Sequence, residues 1–350
     1  MSDFETLTGL VSQYSPSGKE RGAVEWLTAR MKALRYDDAF IDEAGNAVGV
    51  IGKGPRQVVL LGHIDTVPGE IPVRRESCPP HEVLHGRGTV DAKGPLACFV
   101  DAAAHAGARQ GWQFVVIGAV EEERDSEGAR FAVQQYTPDF AILGEPNHWD
   151  RLALGYKGSA WARLTIVRGQ THTASGTETA SEAAVDLWLK LKEFAEVFNA
   201  GRQKVFEQLL LTLRDMTSDS GDYEQRTQLT VGARLPVDLT PDAWYEKISQ
   251  LAQGIRVEPI GLAVPAWRCE KNTQLVRAFL SGIRVHDGEP RFVYKTGTSD
   301  LNIVAPVWKC PALVYGPGDS SLDHTPDEYI DLNEYSKSVA VLSHVLQNLQ

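Results

Sequence analysis

The stretch Val58-Val-Leu-Leu-Gly-His-Ile-Asp-Thr-Val-Pro68 organises the rest of the chain around it. Val58 to Leu61 is a β-branched and aliphatic run that stops at Gly62, the pattern of a buried strand. His63 and Asp65 follow at the strand's exit, and in open α/β sheets ligands bind at the carboxyl ends of strands. Two residues apart on an extended continuation, these side chains point to the same side. In such a pair the carboxylate holds one ring nitrogen and leaves the other to face a metal. Standing alone, the pair would more simply be a histidine bonded within its own loop. What other segments bring to the same edge decides between the two.

Further along, the same pattern recurs. Trp112 to Val120 is a strong apolar run that delivers Glu121, Glu122 and Glu123, and Phe140 to Leu143 ends in Gly144-Glu-Pro-Asn147. Asp91 lies just ahead of an alanine-rich helix predicted over Gly94 to Ala108, and a second helix is predicted from Ser126 to Gln135. Strand, polar end, helix, repeated in this way, predicts an α/β fold with a mixed, mostly parallel sheet and flanking helices. From Gly158 the order becomes strand, helix, strand, strand, helix, strand, which is the split βαβ of a ferredoxin-like α+β unit. A helix over Thr273 to Ile283, a strand over Ala312 to Tyr315 and a helix from Leu332 then return to the first architecture. A chain of 350 residues exceeds one ordinary core. The expected organisation is therefore a catalytic domain from residues 1–157 and 267–350, with residues 158–266 inserted. Near the start, Ser17-Gly-Lys-Glu20 has the form of a capping box opening a helix, and 68–80 reads as loop.

Composition narrows the function classes. A formal charge of -11 disfavours a general nucleic-acid binder, because phosphate contact needs a concentrated basic face. No apolar run reaches membrane-spanning length. Cys78, Cys98, Cys269 and Cys310 are far apart without a CxxC pair, and Met1-Ser-Asp-Phe-Glu5 lacks the charged-then-apolar start of an export signal, so a cytoplasmic protein with reduced thiols is expected. His81-Glu-Val-Leu-His85 matches the HExxH zinc motif by letter, but that motif needs a helix, and this one runs from Pro79-Pro80 into Gly86-Arg-Gly88. It is read as a strand leading to Asp91. No Gly-x-Ser-x-Gly elbow is present, which weakens a serine hydrolase.

His63, Asp65, Asp91, Glu121, Glu122, Glu145 and His324 thus gather at the strand ends of the larger domain. Acids so crowded raise one another's pKa unless cations neutralise them. Two imidazoles with several carboxylates and no thiolate suit Zn²⁺, with Co²⁺ or Mn²⁺ as substitutes, better than Ca²⁺ or Mg²⁺. More ligands than one tetrahedral site needs favour a pair of divalent ions. Gly62-His-Ile-Asp-Thr-Val67, Gly86-Arg-Gly-Thr-Val-Asp-Ala-Lys-Gly94, Glu121-Glu-Glu123, Gly144-Glu-Pro146 and Asp323-His-Thr-Pro-Asp-Glu328 resemble, in order, the five motifs of the M20 metallopeptidase and deacylase family. The resemblance implies a zinc-aminopeptidase-like catalytic domain with an inserted lid and dimerisation domain, and hence a homodimer. It implies that Asp91 bridges two zincs, that His63 and Glu145 complete one, and that Glu122 and His324 complete the other. Glu121 matches the general base, Asp65 the carboxylate behind His63, and His172 in Gly169-Gln-Thr-His-Thr173 the lid histidine that serves as oxyanion donor. Glu123 is left as a solvated or supporting acid. The family also tends to hold the bond after the bridging acid, here Asp91-Ala92, in cis.

Within the family, Lys295-Thr-Gly-Thr-Ser-Asp-Leu-Asn-Ile-Val304 and Gly316-Pro-Gly-Asp-Ser-Ser-Leu-Asp-His-Thr-Pro326 look most like members that release lysine or ornithine from an acidic amino-group carrier protein. Arg234, Thr298 and Ser299 match positions that hold a substrate carboxylate, and Asp300 or Glu123 is suited to a cationic tail. Asp300 is equally a candidate cap of its own loop. Arg268, Lys271, Arg291 and Lys295 are candidates for a basic rim that would meet the carrier. A small-molecule N-acyl amino acid deacylase, such as one acting on acetylornithine, would use the same machinery. A member that has lost catalysis is disfavoured by the full set of ligands.

Overall fold

A computed structural model describes residues 4–350; the first three residues, on which part of the export-signal reading falls, lie outside the described residues. The chain forms two compact units. One takes the chain up to Gly155 with Cys269–Tyr294 and Ser299–Gln350, and the other takes Tyr156–Arg268 with Lys295–Thr298. The short Lys295–Thr298 piece, expected in the catalytic domain, goes with the second unit. There the Lys157 N–H donates to the Lys295 carbonyl at 3.2 Å, and Arg234 reaches Thr298.

The first unit is built on a mixed sheet. Its order runs from Asp38–Ile41 through Ala47–Ile51, Trp112–Ala119, Arg56–His63, Phe140–Gly144 and Ala312–Val314 to Arg151–Tyr156. The middle four strands are parallel and those outside them antiparallel. Parallel strands covered on both faces read as continuous apolar runs, and Val58 to Leu61, Phe114 to Ile117 and Ala141 to Leu143 are all buried. Helices including Arg21–Ala33, Lys93–Ala106 and Leu332–Asn348 supply the covering layers. The expected loop at 68–80 contains a strand, Arg74–Cys78, that pairs with His81–His85. The HExxH letters therefore lie on a strand, as read.

The capping box expected at Ser17 is not formed. The helix begins at Arg21 after Glu20 with no side-chain cap, and the Ser17 hydroxyl donates instead to Asp65 Oδ2 at 2.7 Å. Tertiary demand at a buried acid has taken the local cap.

The second unit has the β-α-β-β-α-β order expected. Its antiparallel sheet is ordered Leu210–Ser220, Glu224–Leu235, Gly158–Gly169, Arg256–Val264, with helices Ala180–Asn199 and Pro241–Leu251. Thr179 and Glu182 form a capping box, and Thr240 caps the helix that begins at Pro241. One face of the sheet is apolar, with Ala160, Ala162, Leu164 and Ile166 alternating inward against Leu187, Leu191 and Trp244. Among the described residues no helix is long and apolar enough to cross a membrane. Trp244 is fully buried in that core. Its replacement by Ala should cost about 3–5 kcal/mol of stability, measured by urea unfolding, with the metal content of the protein unchanged.

Candidate metal centre

Three neighbouring parallel strands end together and carry the chemistry. His63 is the last residue of Arg56–His63, Glu122 and Glu123 follow Trp112–Ala119, and Glu145 follows Phe140–Gly144. Gly62 lies in register with both Gly118 and Gly144. A Cβ at Gly144 would stand 3.0 Å from Phe99 Cε2, and one at Gly62 3.3 Å from Leu96 Cβ. Bare backbone here lets the helix Lys93–Ala106 settle on the sheet, so Asp91, just before its start, enters the same edge. The Asp91–Ala92 bond is cis.

Two residue groups share Asp91. One is His63, Asp91 and Glu145, the other Asp91, Glu123 and His324; within each, ligand atoms lie within 4.8 Å of one another. His63 Nε2 is 3.2 Å from Asp91 Oδ1, whereas His324 Nε2 is 2.9 Å from Asp91 Oδ2 and 3.1 Å from Glu123 Oε1. The two oxygens of one carboxylate thus face two different imidazoles, the disposition a bridging ligand requires. A donor set of two imidazoles and three carboxylates without thiolate fits divalent ions of the zinc type.

The resemblance placed Glu122 beside His324 and made Glu121 the general base; in the structure Glu123 is the acid at His324, and Glu121 turns to Arg124. Glu121 takes a left-handed φ of 61°, and its carbonyl accepts the N–H groups of Arg124, Asp125 and Ser126. This turn breaks the alternation of the preceding strand. The Glu121 carboxylate pairs with Arg124 at 2.6 Å, Glu123 meets His324, and Glu122 is grouped with His63 and Glu123. Asp65 explains why the turn holds. Fully buried, it accepts the N–H groups of Glu122 and Glu123, both at 3.1 Å, as well as the Ser17 hydroxyl. His63 Nδ1 lies 3.0 Å from the Asp65 carbonyl oxygen and 3.4 Å from its carboxylate, so the main chain is the nearer support.

Electrostatics separate the acids. Burial drives Glu122 and Glu145 well above the usual carboxylate range; Glu145 and Asp300 add to the effect at Glu122, and Asp91 and Asp300 to that at Glu145. Asp300 rises to about 7 for the same first reason. Burial opposes the charge on Asp91 too, but hydrogen bonds to His324 and His63 win and hold it well below the usual value. His324 is raised to about 10 by Asp91 and Glu123. Burial would lower His63, yet Asp65 and Asp91 hold it well above 6.5.

The remaining expected residues are distributed between the units. Asp300 is buried ahead of the helix Leu301–Trp308 and makes no capping bond with its side chain. Ser299, also buried, takes over that end of the helix, its hydroxyl accepting the Leu301 N–H. In the second unit, Arg234 Nη1 is 3.3 Å from Thr298 Oγ1. His172 there is exposed and accepts the Ala174 N–H through Nδ1. Ser17 was missed in the sequence because nothing local distinguishes it from a helix cap, whereas Glu123 stood in plain view as the third acid of a run.

The model of the peptidase family M20/M25/M40 matches residues 59–348. Over 99% of its length the chain is 44% identical to a [LysW]-lysine hydrolase of Deinococcus radiodurans, covering 96% of that protein. It is 38% identical to a putative [LysW]-lysine/[LysW]-ornithine hydrolase of Thermococcus kodakarensis, over 99% of this chain and 92% of that one. Among solved structures, an aminopeptidase PepT from Bacillus cereus superposes with a TM-score of 0.79 at 17% identity, covering 98% of this chain and 96% of the other.

In the metal-free site His324, raised to about 10, is charged at pH 7, and His63 and Glu145 are shifted toward their protonated forms, whereas ligation needs all three deprotonated. Adding Zn²⁺ to metal-free protein in weak buffer at pH 7 should therefore release protons, at least about one per chain from His324, read with a pH indicator. Metal uptake without proton release would remove His324 from the ligand set.

Proposed function

The chain belongs to peptidase family M20/M25/M40, and on that premise we propose that it is the hydrolase that frees lysine, or ornithine, from the terminal glutamate of an acidic amino-group carrier protein. The observation that carries this reading is the full-length identity of 44% to a relative named for that reaction on lysine. As a member of this family the chain is a metal-dependent hydrolase of amide bonds. The substrate amide is then the isopeptide link between the carrier's glutamate side chain and the α-amino group of the diamino acid.

In this reading His63, Asp91 and Glu145 would hold one divalent ion and Asp91, Glu123 and His324 a second, most suitably Zn²⁺. Such a pair, when bound, acidifies water and polarises a carbonyl oxygen. Glu122 is the acid that the two ligand groups leave over, and we assign it the role of general base. It takes the proton of the attacking water and gives it to the leaving amine. Its burial among acids raises its proton affinity, which is the property a carboxyl needs to hold a proton between two steps. Asp65 keeps Glu122 in place through the Glu122 N–H. Glu121, turned to Arg124, has no part in the reaction.

Arg234 is assigned the substrate carboxylate, with Thr298 beside it. Burial disfavours the Arg234 charge, and its guanidinium hydrogen bond goes to the neutral Thr298 hydroxyl, so an anionic group of the substrate suits it as a partner. Asp300 is assigned the cationic tail and His172 the oxyanion. A homodimer formed through the second unit and a cytoplasmic setting complete the reading.

Two experiments test it. Release of lysine from a lysine-loaded carrier, measured beside deacetylation of acetylornithine, should be the faster reaction; the reverse order would make the protein a small-molecule deacylase. Glu122→Gln should lower kcat by about 10²- to 10⁴-fold with two metals per chain retained, while Glu121→Gln should stay within a few fold of the unaltered enzyme, roughly the scatter expected away from the chemistry. Loss of turnover in Glu121→Gln alone would return the role of base to Glu121.

A further inference from the structure

Glu328 closes the run Asp323-His-Thr-Pro-Asp-Glu328 and has none of the roles assigned above. It is fully buried, and each of its oxygens serves two donors. Oε1 accepts the main-chain N–H of Val90 at 2.8 Å and of Asp91 at 3.0 Å. Oε2 accepts the N–H of Gly88 at 3.0 Å and the Arg87 guanidinium at 2.9 Å. Arg87 is itself fastened, its Nε–H donating to the Gly69 carbonyl at 2.9 Å. All four donors belong to the five residues that end at Asp91. The acceptor follows His324 by four residues and directly precedes the strand Tyr329–Asp331, which pairs with His81–His85 at the entrance to the same loop. One carboxylate therefore joins the segment carrying the shared acid to the segment carrying the second imidazole.

We propose that Glu328 is a positioning residue for Asp91, fixing the loop Arg87–Asp91 so that the two oxygens of Asp91 face His63 and His324 at once. The inference rests on the reading of Asp91 as the acid shared by two metal ions. Supporting groups that orient a ligand act on metal affinity, and a support under a shared ligand acts on both sites together. A buried ion pair that only holds two loops would lower stability and leave affinity alone.

Titrating metal-free protein with Co²⁺, and following both equilibrium dialysis and the visible absorption of the bound ion, separates these outcomes. Glu328→Gln keeps one acceptor oxygen but sets an NH₂ group against the other two donors. Both equivalents of Co²⁺ should then bind about 10- to 100-fold more weakly, with an altered absorption spectrum. Arg87→Met, which leaves the three main-chain bonds in place, should weaken both in the same direction and by less. Trp244→Ala, destabilised in the other unit, should bind Co²⁺ as the unaltered protein does. Unaltered affinities and spectrum in a destabilised Glu328→Gln would overturn the proposal, and so would unaltered binding by Arg87→Met should Glu328→Gln fail to fold. Fewer than two Co²⁺ per chain in the unaltered protein would instead remove the shared-acid reading, and this inference with it, a failure visible before any variant is made.

Discussion

More negative charge is buried at this sheet edge than the chain balances with its own cations. Asp65, Asp91, Glu122, Glu123, Glu145 and Asp300 crowd around two imidazoles, His63 and His324. Two unit charges 4 Å apart interact by about 4 kcal/mol at an effective dielectric near 20. A handful of unrelieved pairs would consume a folding free energy of about 5–15 kcal/mol. Burial and neighbouring acids shift Glu122 and Glu145 toward their protonated forms, and the acids beside them shift both imidazoles toward their charged forms. Asp65 shows the opposite shift. Buried as deeply as the rest, it stays on the charged side of its usual value because His63, Ser17 and main-chain N–H groups surround it. At Asp65 the donors outweigh burial, whereas at Glu122 and Glu145 burial decides the shift.

The backbone makes this crowding geometrically possible. Parallel strands in register deliver His63, the Glu122–Glu123 pair and Glu145 at one level, and the close seat of the helix Lys93–Ala106 brings in Asp91. Non-glycine residues in the left-handed region turn the side chains: Glu121 with a φ of 61° just past a strand end, and His324 with 62° in the turn that follows Ser320–Leu322. Such conformations persist only where surroundings over-determine them. At Glu121 three N–H groups converge on its carbonyl, and Asp65 clamps the next two residues from the other side.

Legibility in the sequence followed how local each cause was. The sheet, the β-α-β-β-α-β unit and the rejection of a helical HExxH were readable because apolar runs, Pro-Pro and Gly-Arg-Gly act within a few residues. His63, Asp91 and Glu145 were readable as strand-end or helix-start polar groups, and His324 through the resemblance of the run Asp323–Glu328. Which acid of Glu121-Glu-Glu123 meets His324 was not, because it turns on the sign of one φ at Glu121, and the two residues after it are held by an acceptor 56 residues before Glu121 in the chain, Asp65. Ser17 and Glu328 were hidden for a related reason. A serine before a helix and a glutamate before a strand are ordinary in themselves, and only the fold gives them a buried acid and a row of N–H groups to meet.

Charge also separates the roles of the two units. Every acid and imidazole of the metal centre belongs to the first unit, whose imbalance is negative. The second unit presents Arg234, partly desolvated and bonded only to a neutral hydroxyl among the described residues. A desolvated guanidinium without a counter-ion is costly to keep unless a ligand repays that cost. Asp300, held near neutrality by burial, is in the mirror-image position for a cation. The diamino acid of the proposed substrate, joined through its α-amino group, retains one carboxylate and one distant ammonium, charges opposite in sign to those of Arg234 and Asp300. On the proposed reading, Arg234 and Asp300 would bear on which amide is cut, and the acids and imidazoles of the first unit on its hydrolysis.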